Sequence, residues 1–334
     1  MVFVKRFFSF KFFLIGLVIF LVIAVLSSDE PQKPADIPKY KDDDTKLIPA
    51  TIHQKGWQTP VKLEFNDAGW EDSPYITRDG SKILFFYHPY PNLLDPKITE
   101  QITNYVVYKP QEAIKKGIDG KIYYSNKPFK TKSVHPISKN KKYPTTQTAP
   151  YISLAGDLYY NSTKESFVQQ KDVPVTVYKN NVRLDFGTGK DEGNIHLCEQ
   201  RDEAWFDCPN DQNICVMKNA TASNFKGKVE LAPYPINAKN KNSVSDFQPF
   251  LTDDCNTLYF TSDRSGGTLA IYKTTRQNEQ GTKWSKPVKF ITHPVGVAEV
   301  SITADGTEMV FAQLFKRDDK SLGLDIWYSK RGEE

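Results

Sequence analysis

The chain has 334 residues, of which 39% are hydrophobic, 13% aromatic and 25% charged, so it is long enough for one large or two medium domains. Its formal net charge is only +4, and no block of lysine and arginine is visible. These features exclude binding to nucleic acid through a strongly basic surface. The 17 tyrosines and 21 phenylalanines far outnumber the 3 methionines, which favours strands over helices.

Residues 1–28 contain the longest apolar segment of the chain. Residues 7–26 are interrupted only by one serine and one lysine, and a helix of twenty residues spans about 30 Å, the thickness of a bilayer core. Basic residues precede this segment and acidic residues follow it, which predicts that the rest of the chain lies outside the cytoplasm. The segment is either a transmembrane signal anchor or a cleaved signal peptide. The protein is therefore expected to be membrane-anchored in the periplasm or outside the cell, and secreted if the leader is cleaved.

Residues 29–50 are charged and rich in proline, with few apolar side chains. A segment of this composition cannot bury a core, so it is predicted to be a flexible tether. The remaining residues, 51–334, are assigned to one folded domain.

The four cysteines are Cys198, Cys208, Cys215 and Cys255. An even number of cysteines outside the cytoplasm allows disulfides. The sequence contains no C-x-x-C pair, so a zinc site is not expected, and no other metal or cofactor is predicted. One bridge with two free thiols and two bridges are both compatible with the spacing.

Five segments repeat a short strand, a tight turn and a second strand rich in aromatic and aliphatic residues. They begin at Asp72, Thr148, Gly193, Asp246 and Ala298. Asp-Gly pairs at 79–80 and 305–306 supply the turn chemistry directly, because glycine adopts positive φ at little cost. A third strand follows in each unit, and a fourth, more polar strand follows in the first four. Repeated four-stranded units of this length are typical of a β-propeller.

The fifth unit lacks its outer strand, since the sequence ends after "LDIWYSKRGEE". Residues 56–65, "GWQTPVKLEF", match the outer strand of the fourth unit, "TKWSKPVKFI", and share its Trp-x-x-Pro-Val-Lys pattern. The sequence therefore predicts an all-β, five-bladed β-propeller closed by an N-terminal strand. Closure would remove the two exposed sheet edges of an open array, which is the alternative.

These repeats resemble the TolB-type, WD-like propeller repeat, whose blades follow P-x-x-S-P-D-G-x-x-L-x-F-x-S-x-R-x-G-x-x-D-I-Y. The fourth unit keeps the most of this pattern: Pro249, Leu258, Phe260, Ser262, Arg264, Gly266, Ile271 and Tyr272. The first and fifth units keep the Asp-Gly turn, and the third unit departs most. The resemblance covers about residues 56–331. It implies the fold but no particular function, because such propellers serve as binding platforms and as enzyme scaffolds.

A long connection, residues 88–120, separates the second and third strands of the first unit. An insertion of this length within a compact repeat is usually functional or a mobile lid. Its tyrosines and prolines are suited to covering the mouth of the central channel. The alternative is a surface loop without a role.

Acidic residues precede the inner strands of four units, where they are expected around the channel mouth. With one tryptophan and one histidine they form the predicted ligand-binding set: Trp70, Asp72, Glu192, His196, Asp246 and Glu299. Converging carboxylates can bind a cation or a sugar, or form the acid/base pair of glycoside cleavage. The alternative is that they cap loops in solvent, and that His196 is a hydrogen-bonded structural group. No established catalytic motif is present.

The expected function is binding of a protein or glycan partner by a membrane-tethered, extracytoplasmic propeller, through the face that bears the insertion. The alternative is a glycoside hydrolase or lyase that uses the carboxylates at the channel mouth. A third possibility is a structural protein of the envelope.

Overall fold

The computed structural model describes residues 47–169, 174–208, 212–238 and 244–332. The predicted leader, residues 1–28, and most of the tether lie outside these ranges. In the part of the chain that is described, no helix has both the length and the hydrophobicity needed to cross a bilayer.

Short antiparallel strands dominate the described residues. The strands are β1 (Thr51–Ile52), β2 (Val61–Lys62), β3 (Trp70–Ile76), β4 (Lys82–His88), β5 (Lys121–Asn126), β6 (Ser133–Val134), β7 (Gln147–Ile152), β8 (Leu158–Ser162), β9 (Thr176–Lys179), β10 (Val182–Arg183), β11 (Gly193–Cys198), β12 (Glu203–Asp207), β13 (Ile214–Lys218), β14 (Val229–Leu231), β15 (Asp246–Leu251), β16 (Thr257–Ser262), β17 (Ala270–Thr275), β18 (Val288–Thr292), β19 (Val297–Ile302), β20 (Glu308–Lys316) and β21 (Leu322–Lys330). The α-helices are α1 (Pro96–Tyr108), α2 (Pro110–Lys116), α3 (Pro136–Lys139) and α4 (Lys164–Gln169).

Each sequence repeat folds as one antiparallel meander. Meander 1 is β3–β6, meander 2 is β7–β10, meander 3 is β11–β14, meander 4 is β15–β18, and meander 5 is β19–β21. Meanders 5 and 1 belong to one eight-stranded sheet, in which a single parallel pair, Leu324 with Trp70, joins β21 to β3. The other three meanders form separate sheets, and aromatic and aliphatic side chains pack between neighbouring sheets.

The first strand of every meander contains one residue in the left-handed conformation, and none of the five is glycine. These residues are Ser73 (φ 52°), Ala149 (φ 51°), Asn194 (φ 50°), Gln248 (φ 55°) and Glu299 (φ 58°). The pairing register with the second strand shifts at each of these positions. A bulge of this kind bends a strand and redirects its side chains. In each of the five inner strands the alternation of side-chain direction is therefore interrupted at the bulge. The five bulges surround a common space.

The N-terminal segment supplies an outer strand to each of the last two meanders. β2 pairs with β21, with Val61 opposite Tyr328, as the match between residues 56–65 and the fourth unit predicted. Beyond β2, Asn66 Nδ2 donates to the carbonyl oxygen of Ile326 at 2.8 Å, and the Ile326 amide donates back to Asn66 Oδ1 at 2.9 Å. β1 pairs with β18, a contact that the sequence did not predict.

The insertion, residues 88–120, contains two helices where the sequence analysis expected a loop or lid. Asp95 accepts a hydrogen bond from the Lys97 amide and caps α1, and Gly117 ends α2 at φ 74°. The apolar side of α1 packs on the extended end of the β20–β21 hairpin, in a cluster that includes Ile102, Val106, Trp70, Leu314 and Leu324. The helices are thus part of the packed structure at the junction of meanders 5 and 1.

Both pairs of cysteines form disulfides. Cys198 on β11 is bonded to Cys255, in the turn after β15, so this bridge joins meanders 3 and 4. Cys208 is bonded to Cys215 across the connection between β12 and β13. Of the two possibilities left by the spacing, the structure therefore has two bridges.

Replacement of Lys62 by methionine is expected to lower the unfolding free energy by about 3 kcal/mol. The substitution removes the ammonium group that lies 3.0 Å from the carboxylate of buried Asp325 on β21. Lys130→Met is the control, since Lys130 pairs with Glu64 at 3.6 Å on the exposed surface, where a pair contributes at most about 1 kcal/mol. Denaturant titration measures both variants. Equal, small losses would contradict a stabilising role for the β2–β21 contact.

Removal of the two disulfides is expected to have unequal effects. The bridge from Cys198 to Cys255 closes a separation of 57 residues, whereas that from Cys208 to Cys215 closes 7. Because the unfolded chain loses a loop-closure restraint, removal of the first bridge should lower the unfolding free energy by about 4 kcal/mol and removal of the second by about 2 kcal/mol. Thermal unfolding of the two double-serine variants measures the order. A larger loss for the 208–215 variant would contradict this expectation.

Candidate functional site

The inner strands of all five meanders surround a cavity of about 60 Å³, here called the polar cavity. The carboxyl and carboxamide side chains that line it are Asp72, Asn161, Asn194, Asp207, Gln248 and Glu299. A second cavity, also of about 60 Å³, continues along the same strands and is lined by Tyr75, Tyr151, His196 and Phe250, among others. The polar residues thus occupy one end of the space between the inner strands, and the aromatic residues occupy the other.

Glu299 is the most extensively bonded group of the polar cavity. Its Oε2 accepts from the Ser73 amide at 2.7 Å, and its Oε1 accepts from Ser73 Oγ at 3.1 Å and from Gln248 Nε2 at 2.5 Å. Burial raises the pKa of Glu299 well above its usual range, and the neighbouring charge and hydrogen bond of Asp72 raise this pKa further. The protonated form of Glu299 is therefore favoured by its surroundings, and the two carboxyl groups form a close acid pair.

Asp207 completes the wall of the cavity, whereas Trp70 does not line it and contacts it only through Asp72. The indole Nε1 of Trp70 donates to Asp72 Oδ2 at 3.2 Å, so this tryptophan positions the acid pair and is itself fully buried. Asp207, at the end of β12, accepts from the Gln248 amide at 2.7 Å and from Asn194 Nδ2 at 2.5 Å. Because the bond from Gln248 links meander 4 to meander 3, the cavity wall is preorganised by a contact between sheets.

Asp246 and Glu192, which the sequence analysis placed at the channel mouth, do not line the polar cavity. Asp246 is held by Arg264, whose Nη2 lies 2.5 Å from Oδ1, and it also accepts from the Ala238 amide. Glu192 accepts from Thr176 Oγ1 at 3.1 Å, and burial raises its pKa to about 7. Both side chains are directed to neighbouring segments by these bonds, so the expected ring of carboxylates is not assembled.

His196 lies on an inner strand, as expected, but it faces the aromatic end of the space. Its ring centroid is 4.5 Å from that of Tyr151 and 4.6 Å from that of Phe250. Burial lowers the pKa of His196 to about 3, so the imidazole is neutral. These contacts favour the structural role that the sequence analysis gave as the alternative.

The insertion does not cover the polar cavity. The cavity wall, which the described residues form, includes no residue from 88–120. The apolar side chains of α1 that would be available for such a cover are instead buried against β20 and β21. The interpretation of this segment as a cap over the channel is therefore not supported.

The geometry expected of a glycosidase is not found at the acid pair. Carboxyl groups that cleave glycosides stand about 5 to 9.5 Å apart, whereas those of Asp72 and Glu299 are hydrogen-bonded to each other. The cavity, of about 60 Å³, has room for roughly four or five water molecules. Within the described ranges, no three His, Cys, Asp or Glu side chains are arranged to hold a metal ion.

Asp207, Asn161, Asn194 and Gln248 are the site residues that the sequence analysis missed. Asn194 and Gln248 occupy the left-handed positions of their strands, and no glycine marks these positions in the sequence. Asp207 is the last residue of the second strand of meander 3 and follows a buried Trp-Phe pair. Its place at the end of a second strand is the one signal in the sequence that could have identified it.

These features define an all-β protein built from repeated antiparallel meanders around a polar centre. No protein-family model matches the sequence, and no curated protein sequence matches it. Among solved structures, the "putative TolB" of Agrobacterium tumefaciens is similar over 80% of this chain and 91% of its own, with 10% identity and a TM-score of 0.40.

Two further solved structures are similar to the chain. A protein of unknown function from Dyadobacter fermentans matches over 84% of this chain and 100% of its own, with 8% identity and a TM-score of 0.46. An alpha-L-arabinofuranosidase of Podospora anserina, in complex with cellotriose, matches over 83% and 96%, with 9% identity and a TM-score of 0.41. Similarity at this level gives no argument about function.

Replacement of Glu299 by glutamine is expected to make folding stability less sensitive to alkaline pH. Because the folded-state pKa of Glu299 is raised, its contribution to stability is complete below the unfolded pKa of 4.5 and is lost as pH rises through the folded pKa. The unfolding free energy of Glu299→Gln, relative to that of the wild type, should therefore increase as pH rises above 4.5 through neutral and into alkaline pH.

Denaturant titrations across this range measure the difference. Other buried acids, such as Glu71 and Glu192 with pKa values raised to about 8 and about 7, affect both proteins alike and cancel. Glu100→Gln, on the exposed side of α1, is the control and should follow the wild type. A difference that does not change with pH would contradict the protonated state assigned to Glu299.

Proposed function

We propose that this chain is an extracytoplasmic binding module that holds a protein partner on the face around the polar cavity. The observation that supports this most is the preorganised wall of the cavity, to which the inner strands of all five meanders contribute hydrogen-bonding groups. Ligand sites are usually concave, largely preformed and fitted with a few converging polar groups.

The proposed architecture is a five-bladed β-propeller in which each meander is one blade. Five repeats, five bulged inner strands and the pairing of β2 with β21 all support this arrangement. In a closed ring of this kind the inner strands present their bulges to one axis, and the connections between second and third strands lie on one face. The domain would extend over residues 51–334, with 1–28 as leader and 29–50 as tether.

The insertion lies on the same face as the polar cavity in this arrangement. Thr163 and Val175, which flank the connection between the second and third strands of meander 2, line the cavity. The equivalent connection of meander 1 is residues 88–120, so α1 and α2 would extend the binding face beside the cavity. Tyr108, at the end of α1, is 46% exposed and is available to a partner there.

A protein partner suits this face better than a glycan. The cavity, of about 60 Å³, suits the tip of one side chain, so most of the contact would lie on the surrounding loops and helices. Extended contact around one inserted side chain is the usual anatomy of a protein interface. A glycan bound on the same loops remains an outcome of the test.

Two disulfides support an extracytoplasmic location, because such bridges persist in oxidising compartments. The apolar leader supports the same location, with the domain either anchored through residues 1–28 or released after their cleavage. The +4 net charge gives no support for nucleic acid as a partner.

Photo-crosslinking on the two faces tests the proposal. A benzoylphenylalanine at Thr268, in the exposed connection between β16 and β17, is expected to form a protein adduct in cells that express the chain natively. The same residue at Ala155, in the exposed turn between β7 and β8 on the opposite face, is the matched control and should form none.

Digestion with protease and with glycosidase distinguishes the occupants. An adduct from Thr268 that glycosidase removes and protease leaves intact would replace the protein partner by a glycan. Equal adducts from both positions, or none from Thr268, would contradict binding at this face.

A further inference from the structure

We propose that the polar cavity binds a single alkylammonium or guanidinium group, such as the tip of a lysine or arginine side chain of the partner. This inference rests on the proposed function, since it names the chemistry by which that same site recognises its ligand. Three observations support it. The carboxyl groups give the cavity wall a negative charge, two buried oxygens on the wall have no hydrogen-bond donor, and N–H groups around the cavity already donate to its carboxyl groups.

The charge of the wall is negative. Three carboxyl groups line the cavity, those of Asp72, Asp207 and Glu299, and none of the described residues that line it is lysine, arginine or histidine. Carboxylates that lie largely buried in the protein attract a cation more strongly than carboxylates in water do.

Two amide oxygens on the wall have no donor within the protein. Asn161 Oδ1 and Gln248 Oε1 are buried without a hydrogen bond, and their residues are only 8% and 7% exposed. The amide nitrogen of Gln248 donates to Glu299 Oε1. An unsatisfied buried carbonyl costs about 1 to 3 kcal/mol, so both oxygens are acceptors to which a ligand in the cavity could donate.

The N–H groups around the cavity already donate to its carboxyl groups. The amides of Ser73 and Gln248 donate to Glu299 and Asp207, and Asn194 Nδ2 also donates to Asp207. Beside the serine and threonine hydroxyl groups, which can both donate and accept, the carboxyl groups and the two unbonded amide oxygens of the wall offer a ligand acceptors. A carboxylate or phosphate would meet like charge there, whereas an ammonium group, with three donors and one positive charge, complements the wall.

An organic cation fits the wall better than a bare metal ion does. No three acidic or metal-binding side chains of the described residues converge on one point. The acceptors come from different sheets around a space of about 60 Å³, which matches an ammonium or guanidinium group with its last methylene. Directional N–H donors can reach acceptors distributed in this way.

Calorimetric titration of the full chain in detergent tests the inference with n-butylammonium chloride as the probe. Two matched compounds separate charge from hydrogen bonding: n-butanol has the same alkyl chain without the charge, and tetramethylammonium chloride has the charge without N–H donors. Butylammonium is expected to bind at least about tenfold more tightly than either, the ratio that corresponds to one charge-assisted hydrogen bond.

Asn161→Asp supplies the sharpest variant, because it adds a negative charge at the unpartnered oxygen with almost no change in shape. It should tighten butylammonium binding by about tenfold, whereas Asn161→Leu should abolish it. Asn278→Asp is the control: it makes the same change at a surface turn, where Oδ1 accepts from the amides of Thr282 and Lys283, and it should leave the affinity unchanged. Circular dichroism establishes that each variant is folded.

Several outcomes would overturn the inference. One is equal binding of butylammonium and tetramethylammonium, and another is an equal effect of Asn161→Asp and Asn278→Asp. A third is saturable binding of NaCl or CaCl₂ that excludes butylammonium, since the occupant would then be a metal ion. The cross-linking at Thr268 involves no amine probe. A negative titration with a positive adduct therefore overturns only the ammonium site, whereas absence of the adduct overturns the binding face itself.

Discussion

The antiparallel pairing of β2 with β21 is the contact on which the arrangement of the sheets depends. It covers one edge of β21 and places the Lys62 ammonium group beside buried Asp325. β1 makes the equivalent contact with β18, so both of the last two meanders receive an outer strand from the N-terminal segment. The inner strands of these meanders carry Gln248 and Glu299. The geometry of the polar cavity is therefore tied to a contact at the periphery of the protein.

The centre of the molecule combines backbone strain with buried charge. A left-handed conformation at a non-glycine residue costs about 1 kcal/mol or more, and it occurs once in each inner strand. The bulges direct the Ser73 and Gln248 amides to the carboxyl groups of Glu299 and Asp207, and these bonds offset part of the cost of burying acids. Polar groups arranged in this way contribute more to the uniqueness of the structure than to its stability.

The repeat was predictable because strand periodicity and turn residues are local signals. The outer strand in residues 56–65 was also predictable, since its Trp-x-x-Pro-Val-Lys pattern recurs in the fourth unit. The position of Asp72 and Glu299 at the centre followed from their place at the start of inner strands. The helix α1 had a readable signal in the Asp-Pro start and the spacing of its apolar residues, but the sequence analysis treated the segment as a loop.

Other features of the site depend on contacts between distant residues. Asp246 was expected at the centre, but Arg264, a residue of the repeat pattern itself, draws it away. Asp207 enters the site because the bulge at Gln248 turns a backbone amide toward it. The contact of β1 with β18 joins Thr51 to Thr292, and nothing in the composition of so short a strand identifies its partner. Register shifts and pairings of this kind are set by tertiary packing, which a single sequence does not display.

The link between Asn66 and Ile326 spans 260 residues, and this separation has a consequence for biosynthesis. At roughly 5 to 20 residues per second, the ribosome needs on the order of 10 to 50 seconds to produce the partner of a strand that emerged near the beginning. During that interval the early segment has no sheet to join, while meanders 1 to 4 can already assemble from neighbouring residues. The sheet of meanders 5 and 1 is therefore completed last. Until β21 has been synthesised, β2 must not pair with another strand.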